Sequence, residues 1–281
     1  MKVAVASGKG GTGKTLLATS LALGWSRTAL LDCDVEAPNA HFLIRPEITA
    51  RETITRPVPR VEEEMCTHCG LCAEFCRFHA LAVLPKRWMV FDELCHSCGG
   101  CEIVCPTGAI TQSDHILGEL LTGHRGDIAF VQGRLANGET QPVPIIRSVL
   151  SRAPAGRDVI IDSPPGASCS MLTVAAAADI VLLVTEPTPF GLHDLKAAVR
   201  AIRALGRPMA VLVNRSDWGD DSVRRLCRDE ALPLLLEIPH LREVAEGYTR
   251  AIPLIESVPR LAPDLAGLRA KLEALIAEAA A

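Results

Sequence analysis

The sequence predicts an α/β fold with a mostly parallel sheet, interrupted by a smaller cysteine-rich insertion. A glycine-rich loop at residues 8–15 lies between a short apolar stretch and a helical pattern. Two further apolar stretches, 28–31 and 159–161, each end in an aspartate. The 281 residues are 48% hydrophobic but only 4% aromatic, so the core must be built from Ala, Val, Leu and Ile. Such a core suits a parallel sheet that is buried on both faces.

The loop fits the phosphate-binding pattern, with four residues between Gly8 and the Gly13-Lys14-Thr15 end. Glycines let backbone N–H groups turn toward phosphate oxygens, and the following helix N-terminus adds partial positive charge. Lys14 can then reach the β- and γ-phosphates, while the Thr15 hydroxyl can hold Mg²⁺. The sequence therefore predicts a P-loop NTPase site for ATP or ADP with Mg²⁺. Its predicted nucleotide contacts are Gly10, Gly11, Thr12, Gly13, Lys14 and Thr15.

A second lysine, Lys9, completes a Lys-Gly-Gly-Thr-Gly-Lys-Thr run. This run resembles the deviant Walker A motif of the MinD/ParA family, which includes nitrogenase iron protein and Mrp-type iron–sulfur carriers. The resemblance implies a catalytic role for Lys9, which would reach across a dimer to the partner's nucleotide. It also implies a homodimer, or a heterodimer with a related ATPase. A solvated loop lysine is the alternative.

The predicted strand at 28–31 runs into Asp32-Cys33-Asp34. Residues just past a strand end lie where a parallel sheet places its ligands. The resemblance gives Asp34 the catalytic role of orienting the attacking water, and it matches Asn39 to the family's nucleotide-site asparagine. A helix cap is the alternative role for Asp34.

Later strands end in further candidate residues. Asp162 follows an apolar strand and precedes Ser-Pro-Pro-Gly, which fits a Walker B aspartate that holds the Mg²⁺ water shell. By resemblance, Asn214 contacts the adenine base and the segment at Pro239 passes beside it. Cys169 matches a cysteine of nitrogenase iron protein that ligates a cluster shared between subunits. It is therefore a candidate dimer-bridging ligand or redox thiol, with a small buried residue as the alternative.

Two cysteine runs share the spacing C-x₂-C-x₂-C-x₃-C, the second lying 29 residues after the first. Three cysteines two residues apart wrap one corner of a [4Fe-4S] cluster, and the fourth ligates the neighbouring cluster. The runs resemble bacterial two-cluster ferredoxins, although Arg77 stands where the first run would usually have proline. Two zinc sites are the alternative, but zinc ribbons separate their cysteine pairs by longer loops. The predicted ligand sets are Cys66, Cys69, Cys72 and Cys105 for cluster one, and Cys76, Cys95, Cys98 and Cys101 for cluster two.

These assignments predict a MinD-like P-loop ATPase domain at 1–56 and 113–281, with a two-cluster ferredoxin domain inserted at 57–112. Residues 51–64 are charged and lack a helical period, and 113–151 return only weakly to the α/β pattern. The net charge of −4 argues against broad nucleic-acid binding. No apolar run is long enough for a membrane span. Eleven cysteines without an export signal indicate metal ligands and a cytoplasmic location.

The expected function is ATP hydrolysis that gates low-potential electron transfer through two [4Fe-4S] clusters to a redox partner protein. One alternative is an iron–sulfur assembly or carrier ATPase that hands a cluster to an acceptor protein. Another is a MinD-like positioning ATPase that uses the ferredoxin domain for docking or redox sensing.

Overall fold

The computed structural model describes residues 1–85 and 87–280, which divide into two compact units. The first unit contains Met1–Glu52, Leu120–Arg134 and the chain from Pro142 onward. The second unit contains Thr53–Glu119 and Leu135–Gln141, a wider stretch than the 57–112 expected for the insertion.

Strands and helices alternate along the first unit, while the second contains short elements. Strands β1 to β11 occupy Lys2–Ala6, Thr28–Asp32, Glu47–Val61, Leu81–Leu84, Arg87–Val90, Ile110–Arg125, Ile128–Leu135, Asp158–Asp162, Ile180–Thr185, Met209–Asn214 and Leu234–Ile238. Helices α1 to α11 occupy Lys14–Gly24, Ala40–Ile44, Leu71–Phe75, Gly100–Ile103, Val143–Ser151, Cys169–Ala177, Pro189–Ala204, Ser222–Asp229, Arg242–Thr249, Leu254–Ser257 and Ala262–Ala280. Two 3₁₀ turns lie at Asp92–Leu94 and Pro259–Leu261.

The main sheet has the strand order β11-β10-β9-β1-β8-β2-β7-β6-β3. The pairings from β11 through to β7 are all parallel, which confirms the mostly parallel sheet expected from the sequence. Strands β2, β8 and β9 are buried along their whole length. Because the carboxyl ends of parallel strands meet at one edge, the loops that follow them are brought together.

Helices α1 and α11 cover part of this sheet. The indole N–H of Trp25, which follows α1, donates to the carbonyl of Leu265 in α11 over 3.0 Å. Leu265, Leu268 and Leu272 are fully buried, and Leu275 is partly buried against the same core, so one face of this helix packs on the sheet. Among the described residues, no helix combines the length and apolar character needed to cross a bilayer.

The second unit has little apolar core of its own. Strands β4 and β5 pair antiparallel in a two-stranded sheet, with Leu81 opposite Val90. Two buried clusters among the described residues of this unit each include a cysteine of the predicted ligand sets, Cys95 in one and Cys101 in the other. A unit with so few buried apolar side chains usually needs a further stabilising element, such as a metal or a disulfide.

Strands β3 and β6 are the longest, with 15 and 16 residues, and both extend from the first unit into the second. Most of β3 is exposed, so its sequence lacks the alternation of a half-buried strand. Within the first unit these neighbouring strands approach closely: a Cβ on Gly123 would lie 2.1 Å from the carbonyl oxygen of Glu47. The Thr49 hydroxyl also donates to the Thr122 carbonyl over 3.2 Å.

Candidate functional site

A cavity of about 530 Å³ opens in the first unit at the carboxyl ends of β1, β2, β10 and β11. Its wall is formed by the phosphate loop, the loops after β2 and β11, and helix α9. The predicted site residues that line it are Gly10, Gly11, Gly13, Lys14, Thr15, Asp34, Asn39, Asn214 and Pro239. Thr12 is buried within the loop, and Asp162 is fully buried at the end of β8.

The conformation of the phosphate loop depends on glycine at two positions. Gly13 precedes α1 with φ of 96°, and a Cβ there would lie 2.7 Å from the Asn214 side-chain nitrogen. A Cβ on Gly8 would lie 2.4 Å from the carbonyl oxygen of Asp194 in α7. A larger residue would clash at either position, and Gly13 also needs the left-handed backbone that glycine adopts freely.

Lys14 lies beside two of the predicted carboxylates. Its side chain is largely buried, and its charge lowers the pKa of Asp34 and Asp162, against the larger opposing effect of burial on both groups. The net result is a raised pKa for both carboxyl groups. The single ammonium of Lys14 therefore only partly offsets the charge of these two carboxylates, and a further cation would compensate the rest.

The arrangement around Asp162 fits a Mg²⁺ ion. Both carboxylate oxygens of Asp162 are buried and lack a hydrogen bond of good geometry among the described residues, although the Thr15 side chain lies close enough to lower the pKa of this group. Burial, and then the charge of Asp32, raise the pKa of Asp162 well above its usual value. A Mg²⁺ ion bound through water, with Thr15 and nucleotide phosphates as further ligands, would satisfy these oxygens.

Asp32 is a site residue that the sequence analysis did not single out. It is fully buried and accepts hydrogen bonds from the backbone N–H groups of Asp34 and Ala40, each at 3.1 Å, and from the Gln132 amide at 2.7 Å. Burial raises its pKa to about 6. Asp32 therefore fixes both ends of the loop that carries Asp34 and Asn39. The sequence feature that could have identified Asp32 is its position as an aspartate at the end of a buried strand.

Asp34 and Asn39 both face the cavity from this loop. Burial raises the pKa of Asp34, which lies partly exposed at the cavity wall. The side-chain oxygen of Asn39 is buried and has no hydrogen-bond partner among the residues described. Both side chains therefore have polar atoms available to a ligand in the cavity.

Asn214 is tied to the phosphate loop. Its side-chain nitrogen donates to the Thr12 carbonyl at 2.8 Å, and its side-chain oxygen accepts from the Arg215 backbone N–H at 3.0 Å. One N–H and one oxygen lone pair of the amide stay free for a base. Pro239 and His240 form the neighbouring part of the wall.

Lys9 has a partner within its own chain. Its ammonium lies 3.1 Å from a carboxylate oxygen of Glu186, which follows β9 and is almost fully buried. Arg215 contacts the other oxygen of the same carboxylate. Glu186 was also missed in the sequence, where the signal was again an acidic residue just past a buried strand.

The eight cysteines of the two runs surround two cavities in the second unit. Each cavity contains one of the predicted sets, with the fourth cysteine of each run beside the three of the other run. Cys66, Cys69, Cys72 and Cys105 line one cavity, and Cys76, Cys95, Cys98 and Cys101 line the other.

None of the eight thiols is in a disulfide, and several have hydrogen-bonding neighbours. The Ala80 and Ser97 N–H groups donate to the sulfurs of Cys76 and Cys95, each at 3.4 Å, and the Thr107 hydroxyl lies 3.7 Å from the Cys105 sulfur. Such hydrogen bonds are found around cluster thiolates. Within residues 1–85 and 87–280, no group of three His, Cys, Asp or Glu side chains is arranged to hold a single metal ion.

Cys169 belongs to the first unit and lines neither cysteine cavity. It is exposed as the first residue of α6 and faces an open groove between α5 and α6, with Arg147 and Leu172 nearby.

Comparison with known proteins finds relatives that bind nucleotides and share this α/β fold. The family described as "CobQ/CobB/MinD/ParA nucleotide binding domain" matches residues 3–254. An uncharacterised protein of Methanocaldococcus jannaschii is 31% identical over 227 residues, covering 78% of this chain and 82% of the relative. The chloroplastic septum site-determining MinD homologue of Arabidopsis thaliana is 26% identical over 281 residues, covering 95% of this chain and 71% of the relative.

Among solved structures, septum site-determining MinD of Pyrococcus horikoshii in complex with Mg-ADP superposes with a TM-score of 0.57 and 16% identity. The superposition covers 98% of both chains and shows a shared fold. Together with the match to residues 3–254, these findings establish that the chain belongs to the CobQ/CobB/MinD/ParA family of nucleotide-binding domains.

Proposed function

We propose that the chain is an ATP-binding and ATP-hydrolysing switch of the MinD/ParA type. The observation that carries this proposal is the cavity at the sheet edge, where Lys14, Thr15 and Asp34 come together beside the unsatisfied carboxylate of Asp162. The Mg-ADP bound to the Pyrococcus relative supports the choice of ligand.

The residues have distinct roles in this proposal. Lys14 compensates the charge that develops on the β- and γ-phosphates. Thr15 and Asp162 hold Mg²⁺, which supplies further charge compensation when it is bound. Asp34 orients the attacking water, and Asp32 keeps Asp34 in place through its backbone N–H. Asn39, Asn214 and Pro239 bind the nucleoside, and Lys9 reaches the nucleotide of a second chain.

A positioning role is the first candidate for what this switch controls. It is supported by the names of the relatives, two of which are septum site-determining proteins. In this role the ATP-bound dimer would bind a partner protein and hydrolysis would release it. None of the relatives described above is named for iron binding or electron transfer, so the comparisons favour this candidate.

A redox role is the second candidate, supported by the second unit. Its two cavities are each lined by four free cysteines, and its small core is built around the same residues. The thiolates of a [4Fe-4S] cluster are spread around a bulky core, so they need not converge as single-ion ligands do. Two such clusters would supply one-electron chemistry, and ATP hydrolysis would gate transfer to a redox partner.

Anaerobic purification followed by iron analysis and a MgATPase assay tests the proposal. The ATPase assignment predicts hydrolysis that requires Mg²⁺, and protein that neither binds nor hydrolyses ATP contradicts it. The redox candidate predicts about eight irons per chain and cluster reoxidation by an acceptor that responds to MgATP. Iron-free protein that captures a partner only with a non-hydrolysable ATP analogue supports the positioning role instead.

A further inference from the structure

We infer that Glu186 is a positioning residue that holds Lys9 within its own chain and so sets the ATP concentration at which two chains pair. This inference rests on the proposed function, in which Lys9 reaches the nucleotide of the partner chain. Lys9 cannot bind Glu186 and a partner's phosphates at once. The two states therefore compete for a single ammonium group.

The Lys9–Glu186 ion pair has a buried acid and a more accessible base. The distance between the charged groups is 3.1 Å, and the side chains are 5% exposed for Glu186 and 30% exposed for Lys9. A carboxylate buried to this extent needs a cationic partner, because its desolvation is otherwise uncompensated. The lysine can regain water or find a new anion when it leaves, so the mobile member of the pair is Lys9.

Arg215 provides the partner that stays behind. It contacts the second oxygen of Glu186, and its guanidinium lies 5.0 Å from the ring centre of Trp218. Its backbone adopts φ of 51°, a left-handed conformation that is uncommon outside glycine, and its N–H donates to the Asn214 side chain. These contacts fix Arg215 at the end of β10. Glu186 therefore keeps one cation when Lys9 departs. This lowers the free-energy cost of releasing Lys9, because the buried carboxylate is never left without a cationic partner.

The same contacts predict opposite effects for removing Glu186 and for removing Arg215. Without the Glu186 charge, Lys9 is free before nucleotide binds, so pairing needs less ATP. Without Arg215, Lys9 becomes the sole cation at a buried carboxylate, so its release becomes harder and pairing needs more ATP. A partly buried ion pair changes such an equilibrium by about tenfold.

Two variants and a control test this inference. Sedimentation velocity would measure the ATP concentration for half-maximal pairing in wild type, Glu186→Gln and Arg215→Met. We expect a midpoint about tenfold lower for Glu186→Gln and several-fold higher for Arg215→Met. The matched control is Glu237→Gln, because Glu237 pairs with Arg224 and does not contact Lys9. ADP affinity of each variant, measured separately, corrects for any effect of Arg215 on the cavity that it lines.

A second measurement needs neither ATP nor pairing. In nucleotide-free protein, pulsed acetylation read by mass spectrometry compares Lys9 with the exposed Lys196. Release from Glu186 should speed acetylation of Lys9 several-fold in Glu186→Gln, with Glu237→Gln unchanged. The inference is overturned if Lys9 is acetylated at the wild-type rate in Glu186→Gln. It is also overturned if wild type pairs with ATP but Glu186→Gln and Arg215→Met have the same ATP midpoint as wild type. A third outcome separates the inference from the proposed function. If wild type stays monomeric at saturating ATP while Lys9 becomes more reactive in Glu186→Gln, the proposed pairing is wrong, but Glu186 still holds Lys9 in the single chain.

Discussion

The side-chain amide of Asn214 donates to the carbonyl of Thr12 over 2.8 Å, although 202 residues separate the two in sequence. This hydrogen bond ties the end of β10 to the phosphate loop. The distance between the Asn214 nitrogen and an added Cβ on Gly13 is only 2.7 Å, so the loop is packed tightly against the amide. The amide thus supports the loop as well as facing the cavity.

Asn214→Ala should weaken ADP binding by about tenfold, or 1–2 kcal/mol, because the Thr12 carbonyl loses its donor and the loop loses a support. Isothermal titration calorimetry with MgADP measures this directly. The exposed Asn137 in the second unit gives the matched control, and Asn137→Ala should bind like wild type. Equal affinities for Asn214→Ala and wild type would show that the amide contributes nothing to the site.

Lys14→Ala should reduce the turnover number for ATP by about 100-fold or more, because charge on the transferred phosphoryl group loses its nearest ammonium. A coupled assay at saturating MgATP measures the loss. Lys196→Ala removes an exposed lysine from α7 of the same unit and should leave turnover unchanged. Retained hydrolysis in Lys14→Ala would mean that the cavity is not the hydrolytic site.

The buried aspartates predict a pH-dependent response to Mg²⁺. Burial raises the pKa of Asp32 from 3.8 to about 6, so between these values the folded, metal-free chain binds more protons than the unfolded chain. Its stability therefore falls as the pH rises through this window. Bound Mg²⁺ favours ionised carboxylates, so it should stabilise the fold most above about pH 6.

Thermal melts with ADP at pH 5 and pH 7.5, with MgCl₂ or with EDTA, check this expectation. The increase in Tm caused by Mg²⁺ should be larger at pH 7.5 than at pH 5. The difference should be about 2–4 °C for each kcal/mol by which the release of protons from the carboxylates strengthens Mg²⁺ binding. An increase that is the same at both pH values would mean that protons and Mg²⁺ do not compete for these carboxylates.

Under the redox candidate, Cys76→Ala should disturb the cluster that Cys95, Cys98 and Cys101 would bind and leave the other cluster intact, because Cys76 lines the same cavity as these three cysteines. Low-temperature EPR of the dithionite-reduced, anaerobically prepared protein would show one altered signal. Loss of the signal assigned to the other cavity would contradict this ligand partition.

Cys169→Ala serves as the companion variant, since Cys169 is exposed, belongs to the first unit and lines neither cysteine cavity. Under the redox candidate its iron content should equal that of wild type. A loss of iron, together with loss of cluster transfer to an apo-acceptor, would favour a carrier ATPase with a labile cluster at this position.

Local patterns were sufficient to predict much of the fold. The strands around the phosphate loop are short and apolar, and helix α11 repeats its leucines on one face, so both follow from periodicity. Strands β3 and β6 were not predicted as extended strands. In β3 residues 49–53 form an unbroken exposed run, so this part of the strand has no alternation to detect, and burial begins only at Arg56.

Residues with a long-range role were the ones missed at the site. Asp32 matters because Gln132, 100 residues away, and the backbone of Ala40 converge on it. Glu186 matters because the fold brings Lys9 and Arg215 to either side of its carboxylate. Neither set of partners is encoded by spacing. In contrast, Lys14 and Thr15 belong to one contiguous motif at the start of α1, so their positions could be read from the sequence.

The adjacency of β3 and β6 in the sheet bears on how such a chain could arise. The polypeptide departs from the first unit after Glu52 and returns at Leu120 on the neighbouring strand, so a tight turn could join the two strands just as well. The entropic cost of closing a loop grows only slowly with its length. A long stretch between the two strands therefore destabilises the sheet little more than a short one does. The stretch from Thr53 to Glu119 could therefore change in length without altering the order of the parallel strands, whereas Leu135–Gln141 reaches the second unit from a separate part of the chain.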